Sequence, residues 1–320
     1  MKLKSTTFLL SIIMFSNTFV YAQRHEQLLE KNWKFIQKDV PEAYLVNFDD
    51  SRWQTVTIPH DWAIYGPFDR NHDLQTVTII ENNERVPSVK TGRTGGLPYV
   101  GVGWYRTKFT ADKDKQVALQ FDGAMSEARV YVNGKEAIFW PYGYNSFHVD
   151  VTELLNESGV NTLAVRLENQ PQSSRWYPGA GLYRNVRLII TEKVHVPIWG
   201  TYITTPHISE QFASVRLRTK VENAGNNDIR IETEIISPEG KSVTERKDTR
   251  RINHGEPIEQ NFIVYTPKLW SPETPYLYKA VSKIYVGDQL MDEYTTRFGI
   301  RHVEIIADKG FYLNGKHRQF

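Results

Sequence analysis

The most constraining feature of this chain is a period-two alternation of apolar and polar residues, repeated in short runs. Ser214 to Val221 places Val215, Leu217 and Val221 on one face and Arg216, Arg218 and Lys220 on the other. Ile229, Ile231 and Ile235 alternate with Arg230, Glu232 and Glu234, and Leu163, Val165 and Leu167 alternate with Ala164, Arg166 and Glu168. Successive side chains of a strand point to opposite faces, so this pattern marks half-buried β-strands. No stretch sustains a helical period; the best helical candidate is the short segment Glu26 to Glu30.

Turn signals punctuate the runs. Asn133-Gly134 sits between Ala128–Val132 and Lys135–Trp140, which predicts a tight hairpin, because the turn needs positive φ at both central residues. Asn223-Ala224-Gly225 separates two alternating runs in the same way. Strands at roughly 8–12-residue spacing with turns between them predict β-sandwiches and an all-β fold. A boundary is expected across residues 191–205, where Pro197 and Pro206 flank a change from Trp-, Tyr- and Gly-rich sequence to plainer alternation. The first unit is large enough for a jelly-roll-like sandwich. The second has about the size of an immunoglobulin-like one, without a cysteine pair to staple it.

Composition excludes several classes. The 320 residues contain no cysteine, 40% hydrophobic and 24% charged residues, and a net charge of +2. That is neither a disordered chain nor a disulfide scaffold, and it denies the chain cysteine–zinc sites and cysteine nucleophiles. A nucleic-acid binder would show a basic excess, so no nucleic-acid partner is expected. Residues 1–22 read as a secretory signal: Lys2 and Lys4, an apolar stretch from Phe8 to Val20, then Val20-Tyr21-Ala22 as a cleavage site. The apolar run is short and broken by Ser11, Ser16, Asn17 and Thr18, so no membrane association is expected once it is removed. The expected location is exported, periplasmic or extracellular.

Loose motifs carry little chemistry. Gly101-Val102-Gly103 precedes a strand and no helix, so it predicts a close backbone approach rather than a dinucleotide site. The nine histidines lack metal-ligand spacing, so neither a metal nor a cofactor is expected. The mixed-sign run Glu245 to Arg251 reads as a solvated strand face or loop. Aromatic residues concentrate in Trp53 to Trp62, Gly103 to Arg106 and Ser174 to Arg184. Such rings can fill a core or stack on a sugar's C–H face. The Gly- and Pro-containing setting of Trp176 and Tyr177 favours ligand contact for that pair.

The ordered set Ile58-Pro59-His60-Asp61-Trp62, Gly103-Trp104-Tyr105-Arg106, Val130 to Gly134, Asp150-Val151-Thr152 and Asn161 to Arg166 resembles glycoside hydrolase family 2. So do Ser174 to Arg184, Leu269 to Tyr278, Phe298 to Arg301 and Gly310 to Lys316, and the likeness runs through essentially all of the chain after residue 22. Thr91 to Pro98 leading into Gly103-Trp104 is similar to exported bacterial β-galactosidases. After the signal peptide read over 1–22, the resemblance implies a sugar-binding jelly-roll-like domain over 23–193 and an immunoglobulin-like domain over 194–300. Residues 301–320 are expected to be the start of a catalytic (β/α)₈ barrel.

The family hydrolyses β-glycosides with retention through two barrel glutamates, so the resemblance implies an inactive fragment whose β-galactoside-type substrate would be held through a barrel outside these residues. Asn83-Glu84 and Asn156-Glu157 imitate the family's acid/base dipeptide but read as loop residues. The resemblance also implies that the loop ahead of Gly181-Leu182-Tyr183-Arg184 reaches the sugar pocket. Arg175, Trp176 and Tyr177 are the substrate-binding candidates there. Several members carry an aspartate in this loop, where this chain has Ser173-Ser174. The alternative is that Trp176 packs against Tyr183 and Arg175 pairs with an acid. Rival readings are a stand-alone carbohydrate-binding protein and the same portion of a β-glucuronidase; the oligomeric state is left open.

Overall fold

A computed structural model describes residues 24–66, 68–69, 72, 76–80, 83–91, 99–170, 177–251 and 255–319. Its strands in chain order are β1 (His25–Leu28), β2 (Trp33–Ile36), β3 (Gln54–Val56), β4 (Thr76–Ile79), β5 (Ser88–Thr91), β6 (Gly101–Thr110) and β7 (Gln116–Phe121). There follow β8 (Ala128–Val132), β9 (Lys135–Trp140), β10 (Phe147–Asp150), β11 (Val160–Asn169), β12 (Val186–Thr191), β13 (Thr201–Thr204), β14 (Phe212–Thr219) and β15 (Asp228–Ile236). The last are β16 (Ser242–Arg251), β17 (Ile258–Tyr265), β18 (Tyr278–Val286), β19 (Gln289–Phe298), β20 (Val303–Ile306), β21 (Gly310–Leu313) and β22 (Lys316–Arg318). A single α-helical turn, α1 (Trp62–Tyr65), and two short 3₁₀ turns complete the described residues. The all-β expectation holds, and no described helix is long and apolar enough to cross a membrane.

The first sandwich stacks a four-stranded sheet (β1-β12-β7-β10) on a six-stranded one (β3-β2-β6-β11-β8-β9), and the strand pairs are antiparallel. Val117, Leu119 and Phe121 from one sheet meet Val130, Leu163, Val165 and Leu167 from the other in a fully buried core. The alternation of β11 is real, yet Ala164 is buried as well. It faces a second cluster with Ala43, Trp53 and Trp104 on the outer side of the six-stranded sheet. Gly103 lies where a Cβ would stand 2.6 Å from the Trp62 ring, so the Gly-x-Gly motif does serve close approach. Trp33, Trp62 and Trp104 are also buried, so most of the early aromatic residues build cores.

The second sandwich pairs β13-β14-β17 with β16-β15-β18-β19. Ile229, Ile231 and Ile235 are fully buried, as the alternation predicts. Two apolar clusters, one around Val215, Leu217 and Phe262 and one around Val196, Ile231 and Ile284, flank a buried polar group. In it the Thr233 hydroxyl donates to Gln260 Oε1 at 2.7 Å and meets Ser282 Oγ at 2.9 Å. The 245–251 stretch lies within β16, a charged edge strand, which is the solvated face expected of mixed charges. Residues 303–318 hold a small antiparallel sheet, β20-β21-β22.

Two expectations are corrected. The helical candidate at Glu26 to Glu30 is a strand: β1 pairs with β12 from His25 opposite Ile190 to Leu28 opposite Arg187. Five residues cannot recover the cost of helix nucleation, and a free sheet edge supplies hydrogen bonds at once. Asn223-Ala224-Gly225 does turn the chain, with Asn223 at φ 56° and Gly225 at φ 58°. It makes no hairpin, however, because β14 and β15 belong to different sheets.

Candidate functional site

The chemistry-bearing residues converge where three loops meet at one end of the first sandwich. Asp61 precedes α1, and its carboxylate accepts from the Ala63 N–H at 3.0 Å, a helix N-cap. The same carboxylate accepts from the Ala180 N–H at 3.1 Å and from the Tyr177 hydroxyl at 2.8 Å. The 60–66 and 177–182 segments are thereby tied together through one side chain. Backbone bonds reinforce the tie: His60 N–H donates to Leu182 O at 2.8 Å, and Met125 and Gly181 exchange both of theirs. Asn169 Nδ2 donates to Gly179 O at 3.3 Å from the end of β11.

Glycine is required at the crossing point. Gly181 has φ 85°, and a Cβ there would lie 2.3 Å from the Tyr105 hydroxyl and 2.7 Å from His60 O. Tyr105 is buried, and its hydroxyl lies 2.8 Å from His60 Nδ1. Burial pushes the Tyr105 phenol well above its ordinary value, so it stays protonated. Burial also lowers the His60 pKa, which favours the neutral ring. For Asp61, burial outweighs the three donated hydrogen bonds and raises the carboxyl above its ordinary value. Burial and the Asp61 carboxylate together hold the Tyr177 phenol far above the usual range.

Of the three candidates from sequence, Tyr177 sits at this junction, with 42% of its surface exposed and its hydroxyl on Asp61. Arg175 and Trp176 lie outside the described residues, as do the alternative contacts of Trp176 with Tyr183 and of Arg175 with an acid. Tyr183 donates to Gly143 O at 2.8 Å. Asp61, His60 and Tyr105 were not singled out individually from the sequence. Asp61 had a usable signal, an aspartate opening an apolar run closed by Gly66, which is the pattern of a capped helical turn. Its three donors make Asp61 an organiser of the loops, and retention would need a second carboxyl about 5–5.5 Å away. Asn156 and Glu157 are turn residues: Asn156 N–H donates to Asn161 Oδ1 at 2.8 Å, and the exposed Glu157 pairs with Lys113.

Comparison with known proteins identifies this frame. Residues 195–301 match the family described as glycosyl hydrolases family 2. Residues 101–177 match the glycosyl hydrolase 2 galactose-binding domain-like family. A β-galactosidase of Bacteroides ovatus, BoGH2A, is 36% identical over 309 residues, covering 94% of this chain and 34% of its own length. A β-glucuronidase of Formosa agariphila is 29% identical, over 89% of this chain and 30% of that protein. The crystal structure of a glycosyl hydrolase family 2 member from Bacteroides cellulosilyticus superposes with a TM-score of 0.77 at 31% identity, over 91% of this chain and 37% of that one. The chain thus spans about a third of the length of the relatives it matches. Through both of its sandwiches, it belongs to glycosyl hydrolase family 2.

Proposed function

We propose that these residues form the N-terminal, non-catalytic part of an exported, β-galactosidase-like retaining glycoside hydrolase. The observation that carries this reading is the 36% identity to BoGH2A, sustained over 94% of this chain and only 34% of that enzyme. In this reading the sandwiches brace a catalytic barrel that supplies both glutamates. The segment from Arg175 to Tyr177 lines the rim of the sugar pocket, and the bond between Tyr177 and Asp61 anchors the end of that segment. Residues 1–22 direct export, and the substrate is a β-galactoside. A second reading changes only the sugar: the relatives include a β-glucuronidase at 29% identity over a similar span, which favours a β-glucuronide as the rival substrate.

The test is an assay of the 320-residue chain, and of the product of any reading frame continuing past the Phe320 codon, on chromogenic β-galactoside and β-glucuronide. The chain itself is expected to turn over neither, and the longer product to cleave the galactoside. Hydrolysis by the 320 residues would overturn the assignment of both glutamates to a barrel. Preference of the longer product for the glucuronide would replace the first sugar with the second.

A further inference from the structure

The alternation that builds the second sandwich leaves a row of cations that takes no part in its core. Val215 and Leu217 of β14 are buried inward, while Arg216, Arg218 and, just past the strand, Lys220 are exposed on the outer face. Residues two apart on a strand stand about 7 Å from each other, so the three charges form a line about 14 Å long. β14 is the middle strand of its sheet, and its neighbours decide what flanks the row. On one side β13 sets Tyr202 opposite Arg218 and Thr204 opposite Arg216. On the other, β17 sets Glu259 opposite Arg218 and Asn261 opposite Arg216.

Charge and shape narrow the ligand. Arg218 Nε donates to Glu259 Oε2 at 2.9 Å, and Arg216 Nε lies 3.5 Å from Oε1, so two guanidiniums share one carboxylate. Each guanidinium carries five N–H donors, which a single carboxylate cannot saturate. Tyr202 adds an apolar surface: it is 64% exposed, and a tyrosine ring offers a flat face to the C–H side of a sugar. The segment that holds β20–β22 joins the sandwich beyond the far end of β13, where the Thr205 hydroxyl donates to Arg301 O at 3.1 Å, and it leaves Tyr202 uncovered.

We propose that this face binds a polyuronate, an acidic polysaccharide bearing the enzyme's β-glycosides. Its repeating carboxylates meet the row of Arg216, Arg218 and Lys220 while one of its rings rests on Tyr202. A line of evenly spaced cations fits a polymer with repeating charge better than a single small anion, and the guanidinium fork matches a carboxylate. Single-stranded nucleic acid also combines charge with rings. The saccharide is favoured by the glycosidase reading above, on which this choice rests, and by a net charge of only +2 for the chain. The face belongs to the second sandwich, whereas the junction at Asp61 belongs to the first.

The experiment is a calorimetric titration of the 320-residue chain, at about 0.15 M ionic strength, with polygalacturonate oligosaccharides, neutral galactan oligosaccharides, dextran sulfate and single-stranded DNA. The polyuronate is expected to bind with a Kd on the order of 100 μM, and the neutral galactan to give no measurable heat. Arg216→Gln, Arg218→Gln and Tyr202→Ala, all at exposed positions, should each weaken polyuronate binding about fivefold while leaving the unfolding midpoint unchanged. Glu259→Gln removes the carboxylate that competes for both guanidiniums, so it should strengthen binding about threefold. No polyuronate binding, galactan binding of equal strength, or binding indifferent to these substitutions would each overturn the proposal. Tighter binding of dextran sulfate or DNA than of the polyuronate would also overturn it, because charge density alone would then decide. Its failure is separable from failure of the glycosidase reading. A longer product that cleaves β-galactosides while this face ignores the polyuronate removes only the face. Polyuronate binding by a longer product that cleaves neither chromogenic glycoside removes only the glycosidase reading.

Discussion

Asp61 shows how one side chain can serve two loops at the cost of carrying its charge into a partly buried site. Burial raises its carboxyl pKa more than the hydrogen bonds from Tyr177, Ala63 and Ala180 lower it. The folded chain therefore holds the Asp61 proton to higher pH than the unfolded chain, whose value is about 3.9. That contribution to stability is complete below the unfolded value and is lost as pH rises through the folded one. Asp61→Asn keeps an acceptor oxygen and cannot ionise, and other titrations cancel between the two proteins. Urea midpoints measured from pH 4 upward should show Asp61→Asn gaining on the wild type as pH rises. A wild type that gains instead would mean that the three donors outweigh burial. The sequence displayed Asp61 as the opening of a capped turn. It could not display the bond to Tyr177, 116 positions away, because only the packing of two loops creates it.

At the scale of elements, alternation and turn chemistry made most strands legible, and the misses share a cause. The segment at β1 is a strand only because the edge of β12 is there to pair with it. The 223–225 turn moves the chain between sheets, a choice made by the packing of two layers. The Asn133-Gly134 hairpin is the opposite case, fully encoded where it stands. Asn133 takes φ 51° and Gly134 φ 79°, and β8 and β9 pair across them.

Asn133 does more than tolerate its turn. Its Nδ2 donates to Leu154 O and to Asn161 Oδ1, both at 2.8 Å, and its Oδ1 accepts from the Thr162 N–H at 2.9 Å. Asn161 is fully buried and also accepts from the Asn156 N–H. Asn133→Ala combines a left-handed backbone penalty of about 1–2 kcal/mol with the loss of these bonds, for a total of about 2–4 kcal/mol. Asn133→Gly removes the same bonds without the backbone penalty, so it should be about 1 kcal/mol less damaging. Chemical denaturation of the two variants checks this, and equal losses would mean that the turn conformation contributes nothing.

Across the whole molecule, the residue just ahead of β1 reaches into the second sandwich. The Arg24 guanidinium donates to Val196 O and, at 3.0 Å, to Asp292 Oδ2, and it lies 4.6 Å from the centre of the Tyr294 ring. Asp292 is fully buried in β19, and its Oδ2 also accepts from the Val196 N–H at 2.8 Å. Nothing local in the sequence marks this pair, which lies 268 positions apart and depends on how the two sandwiches meet. Both charges leave water on folding, so neither can lose its partner cheaply. Arg24→Ala strands a buried carboxylate and Asp292→Ala a buried guanidinium, and each should destabilise the chain by about 3–5 kcal/mol. Replacing both with apolar residues of similar volume, Arg24→Met with Asp292→Leu, removes both desolvation costs. That double variant should lie above either single one yet below the wild type, because the buried Val196 N–H and O lose the partners that Asp292 and Arg24 give them. Thermal unfolding of the four proteins measures the coupling directly. Single variants that unfold like the wild type would show that the two sandwiches are held together elsewhere.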